Sequence, residues 1–196
     1  MLDLVCELGY RPVTVEAVCA RAGAEVGRFE RIFGSKEGAF VQIFDEESDR
    51  FIAAMRVGCS QVKGWRDGLR VATYTGARWL RDHPREARFC ILEALSAGEA
   101  VQLRREATLQ RLADHVDEGR QLLENPDAVS SVFAKAIVGA ISGILVRRLS
   151  EGSELAEAVD LVPEVMYIAI RPYVDGDEAL EELSIPAVPE RSGGKL

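Results

Sequence analysis

Strand signals are nearly missing from this sequence. Alternating runs rich in Val, Ile, Thr and aromatic residues are scarce, while Ala, Leu, Glu and Arg dominate long segments, so the expected fold class is all-α. No run approaches the roughly 18 apolar residues of a membrane span. Residues 1–10 contain Asp3 and Glu7 but no basic signal region, so neither export nor membrane insertion is expected. The four cysteines, Cys6, Cys19, Cys59 and Cys90, form no C-x-x-C pair. That excludes a zinc knuckle and thioredoxin-type chemistry, and they read as reduced, mostly buried thiols of a cytoplasmic protein. Serine–histidine–aspartate, Walker and dinucleotide-binding signatures are missing as well, so no enzyme activity and no cofactor is expected. His83-x-x-Glu86 and His115-x-x-Glu118 have the residue types of helical di-iron ligand pairs. Their order is reversed and Pro84 puts His83 at a helix boundary, so both histidines read as solvated or capping groups and no metal is expected.

What is present is ordinary globular material. The chain has 196 residues, 47% hydrophobic and 29% charged, with mean hydropathy −0.01 and formal net charge −8, enough for one or two folding units. The acidity is unevenly spread. Residues 1–50 carry 6 basic and 10 acidic side chains and residues 175–196 carry 2 and 6, while residues 51–174 hold 16 of each sign. An acidic first segment weighs against nucleic-acid binding, which draws its affinity from a net basic face.

Periodicity and punctuation place nine helices. The first covers residues 1–8 and stops at Gly9; the second follows the N-cap Thr14 and ends near Arg21. A break at Ala22-Gly23-Ala24 leads to a third, with Val26, Phe29, Ile32 and Phe33 on one face, which Gly34 terminates. Ser35 caps a long fourth helix reaching about Val57 or Gly58. The fifth spans residues 65–82, and the sixth starts at Pro84 and runs to about Leu95. The seventh occupies residues 99–123. Asn125-Pro126-Asp127 opens an eighth whose apolar positions, from Val129 to Leu145, cover more than one face and require burial on two sides. A ninth runs from Leu155 to Tyr173, kinked or restarted at Pro163. Residues 177–196 read as an acidic tail, disordered from about Leu183.

Three short helices with a glycine turn between the second and third form the arrangement of a helix-turn-helix. Gly9-Tyr10, Thr14-Val15-Glu16-Ala17-Val18, Ala22-Gly23, Gly27-Arg28-Phe29 and Phe33-Gly34-Ser35-Lys36-Glu37 together closely resemble the N-terminal domain of the TetR family of transcriptional regulators. The resemblance covers about residues 2–52 and continues beyond them only as helix order. It implies a DNA-binding domain over residues 1–50 and a ligand-binding and dimerisation domain over residues 51–176. It also implies a DNA-facing set of Thr14, Glu25, Val26, Gly27, Arg28, Glu30, Arg31 and Lys36, with Arg28 the candidate for a guanine contact and Lys36 reaching a phosphate. Three positions depart from the family pattern. Glu30 stands where a phosphate-contacting tyrosine is common, Glu25 where a serine or threonine cap is usual, and Val26 at a commonly polar or basic position. The sequence opens within the first helix, so a basic arm of the kind many relatives place there would lie upstream of Met1.

The family's second domain implies a homodimer through helices eight and nine and a small hydrophobic or aromatic effector. Trp65, Tyr74, Trp79, Phe89, Leu92, Leu112 and Met166 are the candidate lining of its cavity. The expected function is a ligand-responsive DNA-binding repressor that holds a palindromic operator in double-stranded DNA. The alternative is a TetR-like dimer that binds a ligand or protein but has lost operator binding through Glu25, Glu30 and its acidic head.

Overall fold

The computed structural model describes residues 1–59, 62–153 and 155–187. Among them ten α-helices and five short 3-10 turns occur and no strand does. The first four helices follow the punctuation closely. α1 (Leu2–Leu8) ends at Gly9, whose φ of 80° is a conformation that glycine adopts without penalty. α2 (Val15–Ala22) begins at Thr14, whose Oγ1 accepts the Ala17 N–H at 3.2 Å, and closes at Gly23 in the left-handed region. α3 (Val26–Phe33) follows, and then α4 (Lys36–Cys59), where Ser35 Oγ accepts the Gly38 N–H at 2.9 Å.

The body comprises α5 (Trp65–Asp82), α6 (Pro84–Ile91), α7 (Glu99–Asp117), α8 (Val132–Ser150), α9 (Val162–Ile170) and α10 (Gly176–Glu181). The body differs from expectation at several points, while Pro163 acts as expected. The sixth and seventh helices end in 3-10 turns, Glu93–Ser96 and Glu118–Leu122, that tighten the chain for the next corner. α8 starts only at Val132, because Asn125 and Pro126 nucleate a separate 3-10 turn, Pro126–Ala128. Pro163 restarts the ninth helix at its first turn, where the missing N–H costs nothing. The expected tail is corrected most: residues 176–184 are helical, with Ala179 and Glu182 buried, and only residues 188–196 of that segment lie outside the described residues.

Two large apolar cores hold the chain. One joins Leu4, Val5, Val18, Phe29, Phe40 and Phe44 of the first four helices, with Val13 of the loop between α1 and α2, to Phe89, Ala94, Ala97 and Val101 of the α6–α7 region. The other gathers Leu69, Tyr74, Ala113, Val116, Ile137, Val138, Met166 and Ile170 between α5, α7, α8 and α9, with Ala179 of α10 closing it. Glu182 pins α10 in place. Its carboxylate accepts Arg70 Nη2 at 2.6 Å and Arg70 Nε at 2.7 Å and also takes Arg66 Nε, with its side chain 1% exposed. Burial alone would push this carboxyl up, but hydrogen bonds from Arg70 and Arg66 outweigh it and hold the group below the ordinary glutamate range. A depressed pKa stabilises the fold above the unfolded carboxyl's value and is lost as pH falls through the folded one.

Removing that carboxylate takes away the buried partner of both guanidinium groups, leaving Arg70 with Asp67 and Arg66 with Glu181 and the Glu178 carbonyl nearer the surface. Glu182→Ala is expected to cost about 3 kcal/mol and lower Tm by on the order of 10 °C at neutral pH. The deficit relative to wild type shrinks as pH falls below the ordinary carboxyl range and through the lowered folded-state value, where the wild-type carboxylate itself takes up a proton. Thermal melts across pH check this; an equal deficit at low pH would show that the cost is packing alone.

Candidate nucleic-acid interface and effector region

α3 turns Phe29 and Phe33 inward, whereas Ile32, which the helical repeat groups with them, is more than half exposed. Phe29 is buried and its ring lies 4.9 Å from that of Phe33, so both hold the helix to α4 and the head core. The opposite side presents Glu25, Gly27, Arg28, Glu30 and Arg31 to solvent. No ion pair to another described residue engages Arg28 or Arg31, so both guanidinium groups stand available to an outside anion. Gly27 has open space around the position its Cβ would occupy, with nothing within 4 Å. Packing inside the chain therefore gives no reason for glycine in this helix, whereas close approach of another backbone would. Glu25 occupies the N-cap position without a capping hydrogen bond, consistent with its departure from the usual serine or threonine. Thr14 is exposed as well.

Two members of the expected set are placed differently. Val26 is half-buried and packs against the head core. Lys36 is half-buried too, and its ammonium donates to the carbonyls of Val13 at 2.9 Å and Tyr10 at 3.1 Å while lying 4.0 Å from the Tyr10 ring centroid. The loop between α1 and α2 has left these carbonyls without helical partners, and the lysine satisfies them. Its charge is thus spent first on the fold of the head.

Two carboxylates that local sequence patterns do not single out join the head to the body. Glu93 is buried; one oxygen accepts the Tyr10 N–H at 3.0 Å and the other accepts Arg88 Nη2 at 3.1 Å. Glu37 on α4 accepts the Ala100 N–H at 3.0 Å, capping the N-terminus of α7 where the helix dipole favours a negative charge. Close to that oxygen lies Gly98 at φ 113°, a position that a side chain would contest.

The seven effector candidates are dispersed over three clusters. Trp65, Tyr74, Leu112 and Met166 belong to the body core, and Trp65 lies edge-on to Tyr173 at 5.4 Å. Trp79 and Leu92 pack in a smaller cluster with Phe51, and Trp79 stacks on His83 at 4.6 Å. Phe89 sits in the head core, stacked on Phe40 at 3.9 Å and 14°. Two open surface grooves, one beside Asp49, Ile52 and Arg111 and one beside Arg148, Ser153 and Glu157, are lined by none of the seven. Four of the seven therefore share one core, and Phe89 belongs to the contact between head and body.

α8 buries Ala134, Ile137, Val138 and Leu149 on its inner side only. Its outer side presents Val132, Phe133, Gly139, Ala140, Gly143 and Ile144, and α9 adds Ile168, more than half exposed. The second covered face that the apolar pattern requires is not supplied by the chain's own described residues.

Solved structures share this architecture. The FadR transcriptional regulator of Bacillus subtilis, solved in complex with stearoyl-CoA, superposes with a TM-score of 0.72 at 18% identity, covering 87% of this chain and 94% of that one. The fatty acid degradation regulator FadR of Bacillus halodurans gives the same values. A TetR family transcription regulator from Marinobacter aquaeolei gives 0.60 at 22% identity over 84% of this chain and 90% of that one. No family model matches the chain, and no curated protein does. The fold is thus that of the TetR-like regulators, as the N-terminal motifs implied. Among the described residues no helix is long and apolar enough to cross a membrane.

The lysine contact carries a test. Lys36→Met keeps the aliphatic stem and deletes the ammonium, so the loop carbonyls lose their donor and the protein is expected to lose about 1.5 kcal/mol. Chemical denaturation in the absence of DNA measures it; unchanged stability would return Lys36 to a purely phosphate-binding role.

Proposed function

We propose that this protein is a dimeric, ligand-responsive transcriptional regulator of the TetR type that reads a palindromic operator with α3 and leaves it when an apolar effector enters the body. The observation that carries the reading is the outer side of α3. A glycine with no internal purpose stands beside two arginines without ion-pair partners among the described residues, on a helix anchored by two phenylalanines. A helix so anchored can enter a major groove, Gly27 admits the sugar–phosphate backbone, and Arg28 offers bidentate donors to a guanine edge.

Dimerisation follows from the open side of α8 and α9. Twofold pairing of that side would bury Phe133, Ile144 and Ile168, and its glycines permit close approach of the two helices. Two heads then address two half-sites. The effector is proposed to be long and apolar, of the class represented by the stearoyl-CoA bound to the Bacillus subtilis regulator. The packed core around Trp65, Tyr74, Leu112 and Met166 would part to admit it, shifting the distance between heads. Repression rather than activation is the sign proposed, since such release by a ligand frees the operator.

Selection from random and genomic DNA fragments at low salt tests the reading. Recovery of a palindrome is expected, and Arg28→Ala should weaken the recovered site about tenfold or more. Gly27→Ala should lose DNA affinity while stability rises by about 0.5 kcal/mol, a split that a structural glycine would not produce. No enrichment would leave a ligand-binding dimer with a silent head, the role to which Glu25 and Glu30 would then be assigned. For the dimer, Ile144→Asp is expected to yield a folded monomer in sedimentation. Persistence of a dimer would move the interface elsewhere.

A further inference from the structure

The C-terminal end of α4 meets α5 and α7 at a junction that DNA reading does not use. There the Cys59 thiol is half-buried and faces three acceptors: the carbonyls of Met55 at 3.2 Å and Gly68 at 3.3 Å, and His115 Nε2 at 3.8 Å. The other ring nitrogen, His115 Nδ1, lies 3.2 Å from Glu118 Oε1. A carboxylate there selects the tautomer with the proton on Nδ1 and leaves Nε2 as a base directed at sulfur. The order is nucleophile, base and orienting carboxylate, built from the His115-x-x-Glu118 pair that the sequence presents without its third member. Trp65 donates its indole N–H to the His115 carbonyl at 3.1 Å, adding a flat apolar ring to the same junction.

We propose that Cys59 is a covalent modification site for soft carbon electrophiles, α,β-unsaturated carbonyl compounds or quinones, with His115 as its general base and Glu118 as the residue that positions His115. As sulfur bonds to the β-carbon, the S–H proton passes to His115 Nε2. The C=C electron pair moves to form the enolate, and the imidazolium then returns the proton to the α-carbon. All atoms are kept in the adduct and nothing is oxidised. A disulfide route has no partner inside the chain, because Cys6, Cys19 and Cys90 all belong to or pack against the head core. Burial holds the Cys59 thiol above its ordinary range, so the base is needed when the bond forms. Cys6 and Cys90 have no such base, and burial pushes them up to about 11 and about 12.

The junction has little room for an adduct. A single methyl at Gly58 would come within 2.6 Å of Val71 Cγ1, and one at Gly119 within 2.4 Å of the Trp65 ring. Modification therefore forces the end of α4 away from α5, and α4 carries the head.

The test is limiting N-ethylmaleimide on the full-length folded protein, with peptide mapping by mass. Cys59 is expected to take the first equivalent at least about tenfold faster than the other three cysteines. His115→Gln should slow it about tenfold and Glu118→Gln by a smaller factor. In urea, wild type and both variants should label at one rate, which separates base assistance from altered folding. First labelling at Cys6, Cys19 or Cys90, or an unchanged Cys59 rate in His115→Gln, overturns the proposal. The effect on operator binding rests on the function proposed above and is read separately with labelled protein. Labelling itself does not depend on that function, so the two fail independently.

Discussion

The stack of Phe40 on Phe89, 3.9 Å apart and nearly parallel, is the contact through which head and body become one object. Phe40 lies on α4 and Phe89 on α6, and both are fully buried. Full burial of an aromatic side chain contributes roughly 1.5–3 kcal/mol, so this pair is among the larger single terms available to so small a head. The head core is otherwise small. Without Phe89, Ala94, Ala97 and Val101 from the body it would expose one side of Phe40 and Phe44 to water. A boundary drawn at residue 50 thus separates sequence motifs but cuts through a core. Under the function proposed above this matters, since a unit that completes its core with the body cannot move independently of it.

Polar contacts make the same joint directional. Dispersion and burial tolerate sliding, whereas the bonds from Glu93 to the Tyr10 N–H and from Glu37 to the Ala100 N–H have fixed donors and short ranges. Each also satisfies a backbone donor that the helices leave open, so breaking either exposes an unpaired N–H. At the far end, Glu182 ties α10 to α5 through two arginines in the same manner. α4 and α5 then form a continuous lever with the head at one end and the Cys59 junction at the other.

Much of the fold was legible locally. Thr14, Ser35, Gly9, Gly23, Gly34 and Pro163 act within a turn of themselves, and their caps and stops fall where spacing placed them, because capping depends on neighbours in sequence. The exposed set on α3 was legible for a related reason: once Phe29 and Phe33 face inward, helical geometry fixes what faces out. The rest depends on partners far along the chain. Nothing near Glu182 announces Arg66 and Arg70 more than a hundred residues earlier, and acidic composition therefore read as a solvated tail. Lys36 read as a phosphate ligand because its spare carbonyls belong to a loop more than twenty residues upstream. The aromatic candidates for the effector region were chosen by type, and type cannot assign Phe89 to one core and Trp65 to another.

The charge conflict in the head resolves on geometry. Net charge over residues 1–50 is acidic, yet several carboxylates are already committed: Glu7 to Arg21, Asp3 to Arg85 and Glu37 to the α7 N-terminus. Those pairs involve other helices than α3, so their contribution to the field at the α3 surface is partly cancelled and screened over a Debye length of about 8 Å. What an approaching phosphate meets first is Arg28 and Arg31 against Glu25 and Glu30, a locally neutral surface. Such a surface gains little from non-specific counterion release and must draw its affinity from fitted contacts. The consequence for a reader of this kind is weak attachment to arbitrary DNA with discrimination retained at a matched site, because Glu30 penalises any register in which it faces a phosphate.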